Sequence, residues 1–333
     1  MTNKKKVLIG AGIATAGAAA VVAVSGYISN VLLRTAIDRD APKVVDKMRK
    51  KISGATTVNE SIALLHEKAK ELEENVQETV ELISRDGETL VGHWYPCEDA
   101  ERVIVAMHGW RSAWSKDFGV ISQFWHENGC SVLFAEQRGQ NNSSGEYMTF
   151  GLMERYDCAD WVHWVNDKTG ATLPVYLCGV SMGASTVLMA SELNLPENVR
   201  GIIADCGFTS PHAIWKHVVK NNLHLSYGIR GNIVNTVCKK RLGSGSKEFS
   251  TLQALENNQT PVLFIHGAAD RFIPVEMTYE NYQACKAPKR LLIVPGARHG
   301  LSYCVDKEAY ERTTKEFWRE FDAYEAPKAQ VSE

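Results

Sequence analysis

Apolar positions along this chain fall into short runs separated by polar, helix-like stretches. Val76–Ile83 alternates apolar and polar residues, Arg85-Asp86-Gly87 supplies a turn, and Thr89–Tyr95 is strand-like again. That pattern predicts an antiparallel hairpin. Arg102–Met107 (RVIVAM) is a continuous apolar run, the mark of a strand buried on both faces. Helical sequence follows to about Asn128, Gly129 stops it, and Ser131–Ala135 is the next strand. A polar, glycine-rich loop over Glu136–Gly151 leads to a helix from about Met153 to Asn166. Val175–Cys178, Gly201–Asp205, Pro261–His266 and Leu291–Val294 are further strands, the first followed by a helix to about Leu193. Strands alternating with helices at this spacing predict an α/β fold, a mostly parallel twisted sheet with helices on both faces and the antiparallel hairpin at its N-terminal end.

Two segments precede this domain. The run from Val7 to Leu33 carries no charge and exceeds the roughly 20 residues that span a bilayer. It predicts a single-pass membrane anchor over residues 1–33. An export signal cut near Ala18-Ala19-Ala20 is the alternative, and a buried core helix is disfavoured because the segment shows no polar face. Lys4-Lys5-Lys6 precede the run, while Arg34, Arg39, Lys43 and Lys47 follow it, so the flanking charges are near balance. The three-lysine start tips the expectation toward a catalytic domain on the extracytoplasmic face. Residues 34–75 turn charged and helical. Ser61–Asn75, with Glu67 and Glu71 among lysines, reads as a stalk or a helix leaned on the main domain. The main domain is expected over 76–323, with a polar tail over 324–333.

Composition narrows the function. Apolar content of 44% and charged content of 23% suit a soluble core, and a net charge of −2 gives no reason to expect a nucleic-acid partner. The 8 cysteines are scattered without any C-x-x-C pair. Cys178 and Cys206 sit inside or beside strand-like runs as small hydrophobes, so neither a zinc site nor a disulfide framework is expected.

The chemistry gathers around Val175–Ser185 (VYLCGVSMGAS). Here an apolar run leads into G-x-S-x-G (Gly179, Ser181, Gly183) and then into helix-forming sequence. Strand, tight turn and helix are the context of a nucleophile elbow. The glycines are needed because no side chain fits beside so sharp a turn. Met182 opens the helix, which frees its N–H for an oxyanion. A serine hydroxyl needs a base, and the base needs an acid to hold its tautomer. Of 10 histidines, His299 follows the last strand directly, and Asp270 follows the strand before it. The order Ser181, Asp270, His299 fits a sheet whose reactive groups collect at the carboxyl ends of its strands. Asp205 is the rival acid, and His108 and His266 read as structural, hydrogen-bonded residues.

Taken together, His108-Gly109, Arg138-Gly139 with Ser144-Gly145, Gly179-Val-Ser181-Met-Gly183, His266-Gly-Ala-Ala-Asp270 and Gly296-Ala-Arg-His299 resemble the α/β-hydrolases. The likeness is to the bacterial serine aminopeptidase-like and lysophospholipase-like members. The resemblance implies Ser181 as nucleophile, His299 as base, Asp270 as its orienting acid, and the Met182 and Trp110 backbone N–H groups as the oxyanion hole. It also implies acyl transfer without metal or cofactor. Many relatives carry Asp where this chain has Glu136, and the loop here is one residue longer, a departure expected to touch structure and not chemistry.

On this fold Pro211–Lys247 falls where a substrate-covering cap is inserted. It holds Trp215, Val218, Val219, Leu223, Leu225, Tyr227, Ile229, Ile233 and Val234, enough to line an apolar pocket. It also holds Lys216, Lys220, Arg230, Lys239, Lys240, Arg241 and Lys247, and no Asp or Glu. An aminopeptidase should offer carboxylates to a free amine. A small-molecule or lipid-like ester is therefore expected ahead of a peptide or amide, and the basic cap suits anionic lipid headgroups. A non-catalytic binding module on the same scaffold predicts a damaged triad, and every part is retained here. Trp110, Trp114, Phe118, Phe208 and Phe272 fall near strand ends, as acyl-pocket or core residues.

Overall fold

The computed structural model describes residues 23–40, 42, 59–76 and 78–324. Eight strands form its sheet: β1 (Glu78–Ile83), β2 (Thr89–Tyr95), β3 (Arg102–Met107), β4 (Cys130–Ala135), β5 (Val175–Val180), β6 (Val199–Asp205), β7 (Val262–Gly267) and β8 (Lys289–Val294). They lie in the order β1-β2-β4-β3-β5-β6-β7-β8. The β1–β2 and β2–β4 pairings are antiparallel and the others parallel. This is the sheet predicted from the alternation of runs. Along β3, Val103, Val105 and Met107 pack on one face with Leu133, Leu177 and Trp161. Ile104 and Ala106 pack on the other with Val132, Phe134 and Phe118. The two-residue period of a strand sends neighbours to opposite faces, so a strand covered on both sides has no polar position to spare.

The helices in chain order are α1 (residues 23–37), α2 (Asn59–Asn75), α3 (Trp114–Glu127), α4 (Glu154–Thr169), α5 (Met182–Ala190), α6 (Pro211–His217), α7 (Gly228–Leu242), α8 (Thr251–Asn257), α9 (Val275–Ala284), α10 (Ser302–Val305) and α11 (Lys307–Phe321). Helix α2 lies against α3, with Leu72 buried. A Cβ at Gly119 of α3 would stand 2.6 Å from the Lys68 carbonyl carbon, so the two backbones meet where glycine permits it. Of the two readings of this charged segment, the helix leaned on the main domain is the one observed. Helices α6 and α7, joined by a π-helical turn at Val218–Asn222, form the cap between β6 and β7.

Helix α1 is where the structure departs from expectation. Ser29, Leu33 and Ile37, spaced four apart, are buried against the domain. Beyond the helix, Met148 N–H donates to the Ile37 carbonyl at 2.7 Å and Arg39 N–H to that of Glu146 at 2.8 Å. The expected membrane span ran to Leu33, and its described end is part of this packed helix. Among the described residues no helix is long and apolar enough to cross a membrane. Residues 7–22, which include the alternative cleavage site, lie outside the described residues, as do 325–333 of the tail.

Candidate active site

Ser181 sits at the end of β5 with φ 57° and ψ −115°, a left-handed φ that a non-glycine residue seldom holds without support. The support is close packing. A Cβ at Gly179 would lie 2.3 Å from the Gly183 carbonyl, and one at Gly183 would lie 1.8 Å from the Met107 carbonyl oxygen. The turn therefore closes only with hydrogen at both positions. Ser181 N–H donates to the Asp205 carbonyl at 2.9 Å, which ties the elbow to β6.

The turns after β7 and β8 bring the partners. His299 Nε2 lies 2.9 Å from Ser181 Oγ, and His299 Nδ1 lies 2.7 Å from Asp270 Oδ2. The other carboxylate oxygen, Oδ1, accepts from the amides of Phe272 at 2.8 Å and Ile273 at 3.0 Å. Burial would raise the Asp270 carboxyl, but the imidazoles of His299 and His266 outweigh it and hold the group well below the usual carboxylate range. Burial would lower the His299 imidazole, yet the charge and hydrogen bond of Asp270 prevail and raise it above 6.5. A ring so held carries its proton on Nδ1 and turns a basic Nε2 to the serine. Phe272 packs edge-on against that ring at a centroid distance of 4.9 Å.

The rival acid Asp205 is buried and accepts from Ser302 Oγ at 3.1 Å. Burial raises its carboxyl. His108 is structural: Nδ1 donates to the Gly109 carbonyl at 2.8 Å and Nε2 accepts from Gln137 N–H at 3.1 Å. His266 has a role that its sequence position did not disclose. Its Nδ1 accepts from the Thr278 hydroxyl at 2.6 Å, which leaves Nε2–H shared between the Ile273 carbonyl at 3.0 Å and Asp270 Oδ2 at 3.3 Å. It thus braces the same carboxylate oxygen that His299 meets. The four-residue spacing of His266 and Asp270 was the one available signal.

Around Trp110 the backbone donors are partly spent. Gly109 N–H donates to Asp117 Oδ2 at 2.7 Å and Arg111 N–H to Gln140 Oε1. Trp110 lies between them and lines the pocket together with Met182. The longer loop after β4 is occupied with structure. Arg138 pairs with Asp157 at 2.5 Å and Asp86 at 2.7 Å, while Glu136 binds His93 at 2.8 Å and caps Asn142 N–H at 2.6 Å. Cys206, Asp270 and His299 stand close enough to share an ion. Burial pushes the Cys206 thiol well above its ordinary range, which keeps it protonated and a poor ligand.

An apolar cleft of about 820 Å3, open mouth included, lies over Ser181. The cap contributes Trp215, Val218, Val219, Leu223, Tyr227 and Val234 as expected, whereas Ile229 is 73% exposed. Phe208 and Phe272 line it too, while Trp114 and Phe118 belong to the core.

The sequence profile of the prolyl oligopeptidase family matches residues 116–322, more than half of the chain. The chain belongs to the prolyl oligopeptidase family. The family match lies within the α/β-hydrolase superfamily that the motifs resemble, and does not extend to the serine aminopeptidase-like group within it. The uncharacterized protein YqkD of Bacillus subtilis is 27% identical over 249 residues, spanning 73% of this chain and 80% of that protein. An esterase from Pyrococcus furiosus superposes with a TM-score of 0.61 at 20% identity, over 76% of this chain and 94% of the esterase. An acylaminoacyl peptidase from Pyrococcus horikoshii superposes at 0.58 with 16% identity, over 79% of this chain and 45% of the peptidase. These likenesses show the α/β-hydrolase fold, and the fold houses both an esterase and a peptidase. This member of the prolyl oligopeptidase family is a hydrolase whose leaving group must be argued from its own pocket.

Proposed function

We propose that the protein is a serine hydrolase that cleaves carboxylic esters with apolar, lipid-like acyl groups through an acyl-enzyme. In this reading His299 takes the Ser181 proton as Oγ attacks the ester carbonyl. Asp270 holds the imidazolium, and the amides of Trp110 and Met182 receive the oxyanion. His299 then returns the proton to the leaving alcohol, and a water activated by the same imidazole releases the acid.

One observation carries the choice of ester: among the described residues, those lining the cleft above Ser181 include no Asp or Glu. A peptidase that reads a free amine needs a carboxylate there, because a buried ammonium without a partner is costly. Peptidase or amidase action is the second reading, favoured by the family match to residues 116–322.

A fluorophosphonate probe should label the wild type and not Ser181→Ala. A panel of nitrophenyl esters against aminoacyl amides divides the two readings, and hydrolysis of the amides alone reverses the choice. The uncharged run from Val7 to Leu33 supports a location at a membrane, and Lys4-Lys5-Lys6 before it favour a catalytic domain outside the cytoplasm. Release of the full chain from membranes by alkaline carbonate would overturn that part.

A further inference from the structure

The pocket has a wall that the predicted hydrolase domain does not supply. Ser29, Leu32, Leu33, Thr35 and Ala36 of α1 line the same cleft as Ser181. We propose that α1 completes an acyl-binding subsite: with the cap, it encloses one aliphatic chain whose carbonyl rests at Ser181. The inference rests on the serine-hydrolase reading and adds that a segment outside the predicted domain sets acyl selectivity.

The wall is apolar by construction. Its two hydroxyls turn back onto the helix, Ser29 Oγ donating to the Ser25 carbonyl at 2.7 Å and Thr35 Oγ1 to the Val31 carbonyl at 2.7 Å. What remains toward the cleft is hydrocarbon. Leu33 and Ile37 belong to one buried cluster with Phe150, Phe208, Trp215 and Val234, so α1 and the cap close over a shared interior.

The helix is also fixed in place, as a wall must be. Helix ends leave carbonyls without internal partners. Here Trp110 and Arg111 satisfy two of them: Trp110 Nε1 donates to the Ala36 carbonyl at 2.8 Å and the Arg111 guanidinium to the Thr35 carbonyl at 3.0 Å, and Arg111 also reaches the Arg39 carbonyl just past the helix at 3.0 Å. Asp38 pairs with Arg241 of α7 at 3.0 Å, joining α1 to the cap. The residue proposed to hold the oxyanion thus also holds the acyl wall, which aligns chain and carbonyl together. Each methylene that enters such a site strengthens binding by up to about fourfold.

The test uses the full-length protein and the rate at which dodecyl and ethyl fluorophosphonates label Ser181. These probes read the acyl side regardless of ester or amide preference. Wild type should favour dodecyl. Ser29→Phe, which fills the wall, should lower the dodecyl-to-ethyl ratio at least tenfold. Leu33→Ala, which widens the wall and keeps the test alive should the first variant fail to fold, should change the ratio by threefold or more. Tyr27→Ala, on the 70% exposed side of α1, should leave it unchanged. Equal ratios in wild type, Leu33→Ala and any folded Ser29→Phe overturn the subsite. A wild type that takes neither probe overturns the serine-hydrolase reading itself.

Discussion

Replacing Asp270 by asparagine tests the site at its most informative atom. The Asp270 Oδ1 that accepts from the Phe272 and Ile273 amides can persist as the asparagine oxygen. The other position then becomes an NH2 group, directed at His299 Nδ1, which is 2.7 Å away, and at His266 Nε2, 3.3 Å away. Both of those nitrogens are donors in the wild type, so donor meets donor. His299 escapes by moving its proton to Nε2, and then it cannot accept the Ser181 proton. In another serine hydrolase the corresponding change costs about 10⁴ in kcat, which at 1.36 kcal/mol per decade is about 5.4 kcal/mol of transition-state stabilisation. The pH profile moves as well. In the wild type Asp270 raises His299, so the limb on which activity climbs as His299 loses its proton lies above pH 6.5. Without the carboxylate, burial prevails and the limb shifts to lower pH. The assay is kcat/KM for a short nitrophenyl ester across pH, beside the thermal midpoint. A loss under tenfold with an unmoved limb refutes the assignment and returns Asp205 as the acid.

Other expectations follow from the same geometry. His266→Ala removes the brace on Asp270 while leaving both of its backbone donors. Kcat should fall roughly 10- to 100-fold, the worth of one hydrogen bond to a charged group, with KM little changed; an equal fall in both parameters would argue against a positioning role. Gly183→Ala places a methyl 1.8 Å from the Met107 carbonyl oxygen, and should destabilise the fold by about 3 kcal/mol through forced backbone movement. A denaturant midpoint equal to wild type would contradict it. Arg138→Met strands buried Asp157, whose carboxyl burial already raises to about 6 despite its pairing. The loss should be about 3–5 kcal/mol near neutrality. Because the unpaired carboxyl takes up a proton more readily in the folded state, this loss should shrink as pH falls from 8 to 5. A loss independent of pH would show that Asp157 finds another partner.

Much of this site was legible along the chain because its constraints are local. Gly179 and Gly183 had to be glycine for Ser181 to turn, and the structure shows carbonyls standing where side chains would be. Asp270 and His299 were found because each follows a strand, and parallel strands deliver their carboxyl ends to one rim. Cap residues such as Trp215 and Val219 declared themselves by apolar content in a segment between strands. His266 was harder. A histidine ending a strand looks alike whether its ring meets a threonine alone or a buried carboxylate as well, and only the folding of the Asp270 loop back over it makes the difference.

The sequence by itself determined the sheet and the elbow, since two-residue periodicity and the steric demands of a tight turn act over a few positions. Only the tertiary structure decided what α1 does. An apolar helix face gains by leaving water for any apolar medium, and the free energy of that transfer scales with area and carries no address. Ser29, Leu33 and Ile37 suit a bilayer and a protein cleft equally well. The choice was made far away in the chain, by Trp110, Arg111 and Arg241, whose donors meet the end of this one helix.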